Sequence, residues 1–277
     1  MNQVALRTAE LDANYYVDKR IRDMVTALTK KGNANFLLSG PPGSGKSSFA
    51  EQFAAVTGRP IFDVACGRMQ EVGQWFGEMA FSPEHGTYYK TSAFVEALAT
   101  PNCVILLDEI NRVESPKVNN ALLPILDHRQ RVFVEEIGRD ILVAEGVVIF
   151  ATINEGLDFN GIDPIDLALR DRFYSIAMNY PSMETISNII RAKTKCSVQA
   201  AADLISVVTK VNSTKTLPMR DLLKAATLMA SGIGLRDAVD FGFSRAHENH
   251  AALLQMAQNL DKNGAIRTGR DEILWTV

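Results

Sequence analysis

The sequence predicts an α/β domain built on a parallel sheet of five strands with helices on both faces, followed by a small all-helical lid domain. Short apolar runs bounded by turn residues alternate with longer amphipathic stretches, which is typical of buried parallel strands and their connecting helices. After Pro181 these runs stop, and apolar residues recur only at helical spacing. We therefore expect an α/β domain over residues 1–180, and a helical lid with a C-terminal tail over residues 181–277.

The individual elements follow in order along the chain. A helical face from Val17 to Leu28, set among charged residues, predicts a surface helix that leads into the domain. The five strands are predicted at Asn35–Ser39, Pro60–Ala65, Asn102–Leu107, Val147–Ala151 and Phe173–Ala177. The helices of the second domain are predicted around Ile186–Ile190, Leu204–Val211, Leu222–Met229 and Leu253–Ala257.

Composition narrows the class of protein. The chain has 277 residues, of which 47% are hydrophobic and 22% charged, and a formal net charge of −3. These values exclude a disordered chain, and the slight acidic excess argues against tight nonspecific binding of nucleic acid, although a local basic patch would be compatible with it. The longest apolar runs have about five residues, whereas a membrane span needs about 20. We expect a cytoplasmic protein without a secretory signal or a membrane partner.

Cysteine and histidine do not form a metal-binding or redox pattern. Cys66, Cys103 and Cys196 lie far apart in the sequence and include no CxxC pair, so we expect reduced, buried thiols. His247 and His250 share a helical face but lack further ligands, and we predict no metal site there.

A phosphate-binding loop is predicted directly after the first strand, because the segment GPPGSGKS fits the pattern GxxxxGK[ST] between a strand and a helix. Glycines let backbone N–H groups surround phosphate oxygens, and the helix dipole attracts the same anion. Lys46 reaches the β- and γ-phosphates, and the Ser47 hydroxyl is a ligand for Mg²⁺. The predicted nucleotide-binding residues are Gly40, Pro41, Pro42, Gly43, Ser44, Gly45, Lys46, Ser47 and Ser48.

A pair of carboxylates ends the third predicted strand. Asp108 and Glu109 follow the apolar run Cys103–Leu107, and ligands of open α/β sheets bind at the carboxyl ends of the strands. Asp108 fits the support of Mg²⁺, and Glu109 fits the polarisation of the water that attacks the γ-phosphate. Alone, an Asp-Glu pair is ordinary strand-end polarity; after a phosphate loop and one intervening strand, it predicts hydrolysis.

These segments resemble the AAA+ ATPases. GPPGSGKSS, VILLDEINR, FATIN and IDPIDLALRDRF occur in the order seen in that superfamily, and the resemblance covers about residues 14–245. The segment MQEVGQWFGEMAFSPEHGTYYKTSAFVEAL resembles the helix-2 insertion, and HRQRVFVEEIGRDILVAEG resembles the hairpin before the sensor strand. Both are similar to the MoxR-like branch, which includes the CbbQ/NorQ and CobS-type activators.

The resemblance implies roles for three further residues. Asn154 resembles sensor 1, which orients the lytic water; the alternative is an asparagine that caps a turn at a strand end. Arg172 resembles the arginine finger that reaches a neighbouring subunit, with Arg170 as a competitor and a surface arginine as the alternative. Arg220 resembles sensor 2 on the lid and would contact the nucleotide; the alternative is a solvated residue at a helix start.

The implied assembly is a homo-oligomer, most often a hexameric ring, that hydrolyses ATP. Three functions remain open at this stage. One is a chaperone or activator of a partner protein, sometimes with a von Willebrand factor A-type partner. The others are a nucleic-acid-linked motor subunit and a nucleotide switch without turnover. Near-neutral composition favours the first, and the presence of Glu109, Asn154 and Arg172 disfavours the switch.

The segment that would face a client allows two interpretations. Its apolar side chains either contact a pore or a partner protein, or pack back into the domain core; they are Trp75, Phe76, Met79 and Phe81. Arg129 and Arg131 beside the second hairpin either contact an acidic partner or nucleic acid, or are solvated, and the sequence favours solvated charge.

Overall fold

The computed structural model describes residues 6–84, 86–113, 115–154, 165–211, 219–244 and 249–263. The chain divides into two compact units. The first contains the described residues up to Ala13 and from Val17 to Asn179, and the second contains Asn14–Tyr16 and the described residues from Tyr180 onward. His247 and the predicted C-terminal tail from residue 264 lie outside the described residues.

The secondary structure alternates between strands and helices in the first unit and is helical in the second. The strands are β1 (Arg7–Thr8), β2 (Ala34–Gly40), β3 (Pro60–Ala65), β4 (Gly77–Ser82), β5 (Gly86–Thr91), β6 (Val104–Asp108), β7 (Arg131–Val134), β8 (Arg139–Leu142), β9 (Val148–Asn154) and β10 (Tyr174–Ala177). The helices are α1 (Lys19–Thr29), α2 (Lys46–Thr57), α3 (Gly73–Phe76), α4 (Ala93–Leu98), α5 (Pro116–Asn120), α6 (Leu123–Leu126), α7 (Leu167–Arg170), α8 (Met183–Thr194), α9 (Val198–Val211), α10 (Met219–Ala230), α11 (Leu235–Gly242) and α12 (His250–Asn263).

The central sheet has the strand order β1-β3-β6-β9-β2-β10. The five strands from β3 to β10 are parallel, which confirms the predicted class, and each lies within three residues of its predicted bounds. The sequence analysis missed β1, which pairs antiparallel with β3. This strand has two exposed residues and no apolar pattern; Arg7 holds it through ion pairs with Glu51 at 2.8 Å and Asp63 at 2.5 Å.

The core of the first unit lies on the central strands, which are covered on both faces. Phe36 of β2 stacks on Phe150 of β9 with ring centroids 5.2 Å apart. Phe49 and Phe53 of α2 pack edge-on against Phe150 at 5.7 and 5.4 Å. Because these strands are buried on both faces, their apolar residues run continuously rather than alternating. This packing fixes α2, and with it the loop that precedes the helix.

Two antiparallel hairpins lie outside the central sheet, within the two segments that resemble family insertions. Strand β4 pairs with β5, and β7 pairs with β8. Before β4, Trp75 and Phe76 are buried, and the Trp75 indole packs against Phe94 with centroids 5.0 Å apart. Within β4, Met79 and Phe81 are 55% and 73% exposed. Packing into the domain core therefore describes Trp75 and Phe76, whereas Met79 and Phe81 are open to a partner.

The second unit is a bundle of helices α8–α12 around its own core. Helix α8 begins after Pro181, where the Ser182 hydroxyl accepts a hydrogen bond from the Thr185 backbone N–H. The core side chains come from all five helices and include Ile186, Ile190, Leu204, Val208, Leu222, Ala226, Leu235, Val239, Leu253 and Ala257. Among the described helices, none is both long enough and apolar enough to cross a membrane.

Candidate functional site

The loop between β2 and α2 has the backbone that a phosphate-binding loop needs. Gly43 and Gly45 have φ angles of 77° and 90°, in the left-handed region that favours glycine. Gly40 has a φ of 153°, and a Cβ built there would lie 2.1 Å from the Met178 carbonyl oxygen. Helix α2 begins at Lys46, directly after the loop. The start of the loop therefore lies against the backbone of Met178, directly after β10, and a helix N-terminus lies at its end.

The polar side chains of the loop fit an anionic ligand. Lys46 is buried, and its Nζ donates to the carbonyl oxygens of Gly40 at 2.8 Å and Pro41 at 2.9 Å. The Ser44 hydroxyl is also buried and has no hydrogen-bond partner among the described residues. Buried polar atoms are normally paired, so an orphaned hydroxyl within a glycine-rich loop fits a phosphate oxygen.

Asp108, at the end of β6, is joined to the loop by a short network. The Ser47 hydroxyl donates to Asp108 Oδ1 at 2.7 Å, and the Thr152 hydroxyl of β9 donates to the same oxygen at 2.7 Å. The Glu109 backbone N–H donates to Thr152 Oγ1 at 2.9 Å. Hydroxyl and carboxylate oxygens are ligands that Mg²⁺ accepts, so Ser47 and Asp108 fit the predicted metal position.

Thr152 is a site residue that the sequence analysis missed. It is 1% exposed, and its neighbours in the strand, Ala151 and Ile153, are apolar and buried. β6 and β9 are parallel with Leu107 opposite Ala151, which places the next residues, Asp108 and Thr152, side by side. A lone hydroxyl in a buried apolar strand was the available signal, since buried polar groups require partners.

Glu109 takes a backbone conformation that is uncommon for its residue type, with a φ of 54°. Its side chain meets two partners: Asn154 Nδ2 donates to Oε1 at 2.8 Å, and Arg112 Nε lies 3.1 Å from Oε2. Asn154 is the register partner of Gly40 in the parallel pair of β9 and β2. The sheet thus brings Glu109 and Asn154 together beside the start of the loop.

The three predicted arginines follow β9 in the chain and take no part in the hydrogen bonds described above. Arg172 Nη1 donates to the carbonyl oxygen of Ala168, and its Nε is buried without a partner among the described residues. Arg170 is the exposed last residue of α7. Arg220 is exposed at the second position of α10, in the second unit.

The thiol of Cys66, near the two carboxylates, is unreactive. Cys66 directly follows β3, whose last residue pairs with Asp108. Burial raises the pKa of the Cys66 thiol, and the negative charges of Asp108 and Glu109 raise it further. The thiol is therefore neutral at physiological pH, which agrees with the predicted role of the cysteines as buried, unreactive residues. In the described residues, no group of three or more His, Cys, Asp or Glu side chains could hold a metal ion.

The charges near the second hairpin are paired locally. Arg129 forms an ion pair with Asp127 at 2.7 Å, and Arg131 forms one with Asp140 at 3.3 Å. Both arginines are more than half exposed, which supports the interpretation of solvated charge. Arg129 also lowers the pKa of Asp127 through its side-chain hydrogen bond.

The fold and the site together define the class of the protein: a phosphate loop, a following Asp-Glu pair and a strand-end asparagine, on a parallel sheet with a helical region after it. The chain belongs to the AAA domain family, in its dynein-related subfamily, whose model matches residues 35–173. Proteins of this family are nucleotide-binding ATPases, and the chain is an AAA+ protein by both its fold and this match.

The chain is also similar to individual proteins. The chain is 36% identical over 260 residues to the "Putative chaperone BssE" of Thauera aromatica, covering 91% of this chain and 90% of that protein. It is 26% identical over 212 residues to the uncharacterized protein SH1500 of Staphylococcus haemolyticus, covering 75% and 76% of the two chains. A relative from Staphylococcus aureus strain USA300 is 28% identical over 163 residues, covering 57% and 60%.

Proposed function

We propose that this chain is an ATP-hydrolysing AAA+ ring ATPase that remodels or activates a partner protein. The observation that carries the proposal is the pair of Glu109 and Asn154, joined at 2.8 Å beside the hydrogen bond between Ser47 and Asp108. A phosphate loop alone supports binding. A carboxylate held by an amide next to that loop supplies the group that hydrolysis requires.

In the proposed reaction, the loop backbone and Lys46 bind the phosphates and hold the γ-phosphate in place. Ser47 and Asp108 would hold Mg²⁺, whose positive charge, when the ion is bound, would offset the negative charge of the phosphates. Glu109 accepts a proton from the attacking water, and Asn154 orients the Glu109 carboxylate. Water adds to the γ-phosphorus as the bond to the β-phosphate oxygen breaks, and the products are ADP and phosphate.

Turnover would require an assembled ring, proposed to be a hexamer. Lys46 lies at the phosphate loop of its own subunit, and a further cation close to the γ-phosphate would stabilise the charge that develops there. Arg172 is proposed to supply that cation to the neighbouring subunit, with Arg170 as the competing residue. An arginine finger contributes about 10³–10⁵ in rate where it has been measured. Arg220 is proposed as the sensor 2 residue that contacts the nucleotide from the lid.

A protein client is favoured by two observations. The relative from Thauera aromatica bears the name of a chaperone, and the two hairpins occur in the segments that resemble the MoxR-like branch. We therefore propose membership of that branch, with a protein client and, as in other members, a von Willebrand factor A-type partner. The exposed Met79 and Phe81 of β4 offer an apolar surface for such a client.

The experiment is a pull-down with the Glu109→Gln variant in the presence of ATP and Mg²⁺. This variant should bind ATP without turnover, so a stalled ring should retain its client. Lys46→Ala is the matched control, because it should not bind nucleotide and should retain nothing specific. Equal recovery of all proteins by the two variants would contradict the proposal. Recovery of DNA that is released by added salt would favour the nucleic-acid motor instead.

A further inference from the structure

Arg112 follows Glu109 by three residues in the chain. It contacts the Glu109 carboxylate oxygen that is not bonded to Asn154. Its Nε lies 3.1 Å from Glu109 Oε2, while Asn154 Nδ2 donates to Oε1 at 2.8 Å. Each oxygen of Glu109 thus faces a donor from the protein. Each carboxylate oxygen has a second lone pair that can still accept from water, but the two donors fix the orientation of the carboxylate and therefore the directions in which these free lone pairs point.

The stem of Arg112 lies on the turn that leads into the first hairpin. Residues 66–68 form a 3₁₀ turn directly after β3, and a Cβ built on Gly67 of that turn would lie 3.5 Å from Arg112 Cβ and 3.9 Å from its Cδ. A side chain at position 67 would thus meet the aliphatic part of Arg112 at ordinary van der Waals distance, so the two turns are close neighbours.

A second connection joins the same regions through α5. The Trp75 indole Nε1 donates to the Val118 carbonyl oxygen at 2.9 Å, and Asn119 Nδ2 donates to the Ile110 carbonyl oxygen at 2.8 Å. Both hydrogen bonds are buried, and Ile110 opens the 3₁₀ turn that contains Arg112. The segment before β4, residues 66–76, is thus linked to the turn of Arg112 on two sides.

We propose that Arg112 is a positioning residue that restrains the Glu109 carboxylate, and that residues 66–76, the root of the β4–β5 hairpin, control this restraint. The inference rests on the proposed hydrolysis at Glu109 and deepens it. The Arg112 side chain is 51% exposed, so it has solvent to move into when it leaves Glu109. A partner that moves the β4–β5 hairpin would then accelerate hydrolysis without contacting the nucleotide.

The first test compares Arg112→Ala with wild type in steady-state ATPase assays and nucleotide-binding assays. Exposed ion pairs contribute about 0.2–1 kcal/mol, so removal should raise kcat by up to about fivefold while the Kd for ATP stays unchanged. Arg112→Lys keeps the charge and should lie closer to wild type. Arg22→Ala is the matched control, because Arg22 is a similarly exposed arginine that pairs with Asp23 on α1.

A fall in kcat for Arg112→Ala would overturn the restraint, as would an equal rise for Arg22→Ala. The link to the hairpin is tested by Trp75→Phe, which removes the hydrogen bond to Val118 but keeps a ring. It should raise kcat in the wild-type background and add nothing in the Arg112→Ala background, since both changes release the same contact. Independent, additive effects would overturn the link.

A readout without turnover separates this inference from the proposed function. Hydrogen–deuterium exchange of Arg112→Ala should be faster than wild type in peptides covering residues 66–76 and 105–113, because both rest on the same side chain. If the turnover of wild type does not exceed that of Glu109→Gln, the proposed function is wrong. The exchange data would still show whether Arg112 is coupled to residues 66–76. Unchanged exchange in residues 66–76 would overturn the proposed coupling.

Discussion

Thr152 connects the two carboxylates of the site, so its hydroxyl should matter more than that of an ordinary buried threonine. Replacing Thr152 with Val keeps the shape of the side chain and removes two hydrogen bonds: the one that it donates to Asp108 and the one that it accepts from the Glu109 N–H. Both partners lie at the end of β6, where the strand turns into the site. The substitution keeps the apolar packing of β9 and removes the hydroxyl that bridges the Asp108 carboxylate and the Glu109 N–H.

The magnitude follows from the two partners. A hydrogen bond to a charged group contributes about 1.5–3 kcal/mol, and an unsatisfied buried N–H costs about 1–3 kcal/mol. Asp108 keeps the bond from Ser47, and the Glu109 N–H is only partly buried, so the lower part of the combined range applies. We expect Thr152→Val to lower the free energy of unfolding by about 2.5–4 kcal/mol.

The assay is denaturant unfolding followed by fluorescence, in a Trp275→Phe background so that Trp75 of the first unit is the reporter. Thr29→Val is the matched control, because Thr29 is also buried and its hydroxyl donates to the Val25 carbonyl oxygen within the same helix. That loss should cost less than about 1 kcal/mol. With equal slopes, equal midpoints of the two variants would refute the reasoning.

The remaining predictions concern the loop and the thiols. Gly40→Ala should abolish nucleotide binding, because its Cβ would lie 2.1 Å from the Met178 carbonyl oxygen. Gly73→Ala should bind as wild type does, because its Cβ would meet no atom of the described residues beyond its own helix and chain neighbours within 4 Å. Isothermal titration with ATP checks both. Cys66 and Cys103 should resist iodoacetamide at pH 8 until the protein unfolds, since burial raises both thiol pKa values, that of Cys103 to about 12. Mass spectrometry of the labelled peptides checks this, and native labelling of either cysteine would contradict it.

The sequence was sufficient for the central strands β6 and β9 because each contains an uninterrupted run of buried apolar residues, as strands covered on both faces require. It was insufficient for β1, since two exposed residues held by the ion pairs of Arg7 leave no periodic pattern. It also left the segment around β4 undecided. Trp75 and Phe81 both have large aromatic side chains, yet Trp75 is buried and Phe81 is exposed.

The site shows the same division. The phosphate loop is one continuous segment, and so is the carboxylate pair, so the spacing of residues within each segment predicts it. Thr152 and Arg112 act through contacts made across strands and turns, which only the register of β6 with β9 and the packing of Arg112 on Gly67 bring together. The roles of Arg172 and Arg220 stay predictions, since they depend on a neighbouring subunit and on the lid.

The most direct test of the central claim, ATP hydrolysis at Glu109, is the rate of ATP turnover per subunit for wild type and Glu109→Gln over a range of protein concentrations. We expect wild-type turnover per subunit to rise with concentration as subunits assemble. Glu109→Gln should bind ATP with the same Kd and turn it over about 10²–10⁴ times more slowly, the usual contribution of a general base. Equal turnover by both proteins at every concentration would contradict the account, and the chain would then be a nucleotide switch.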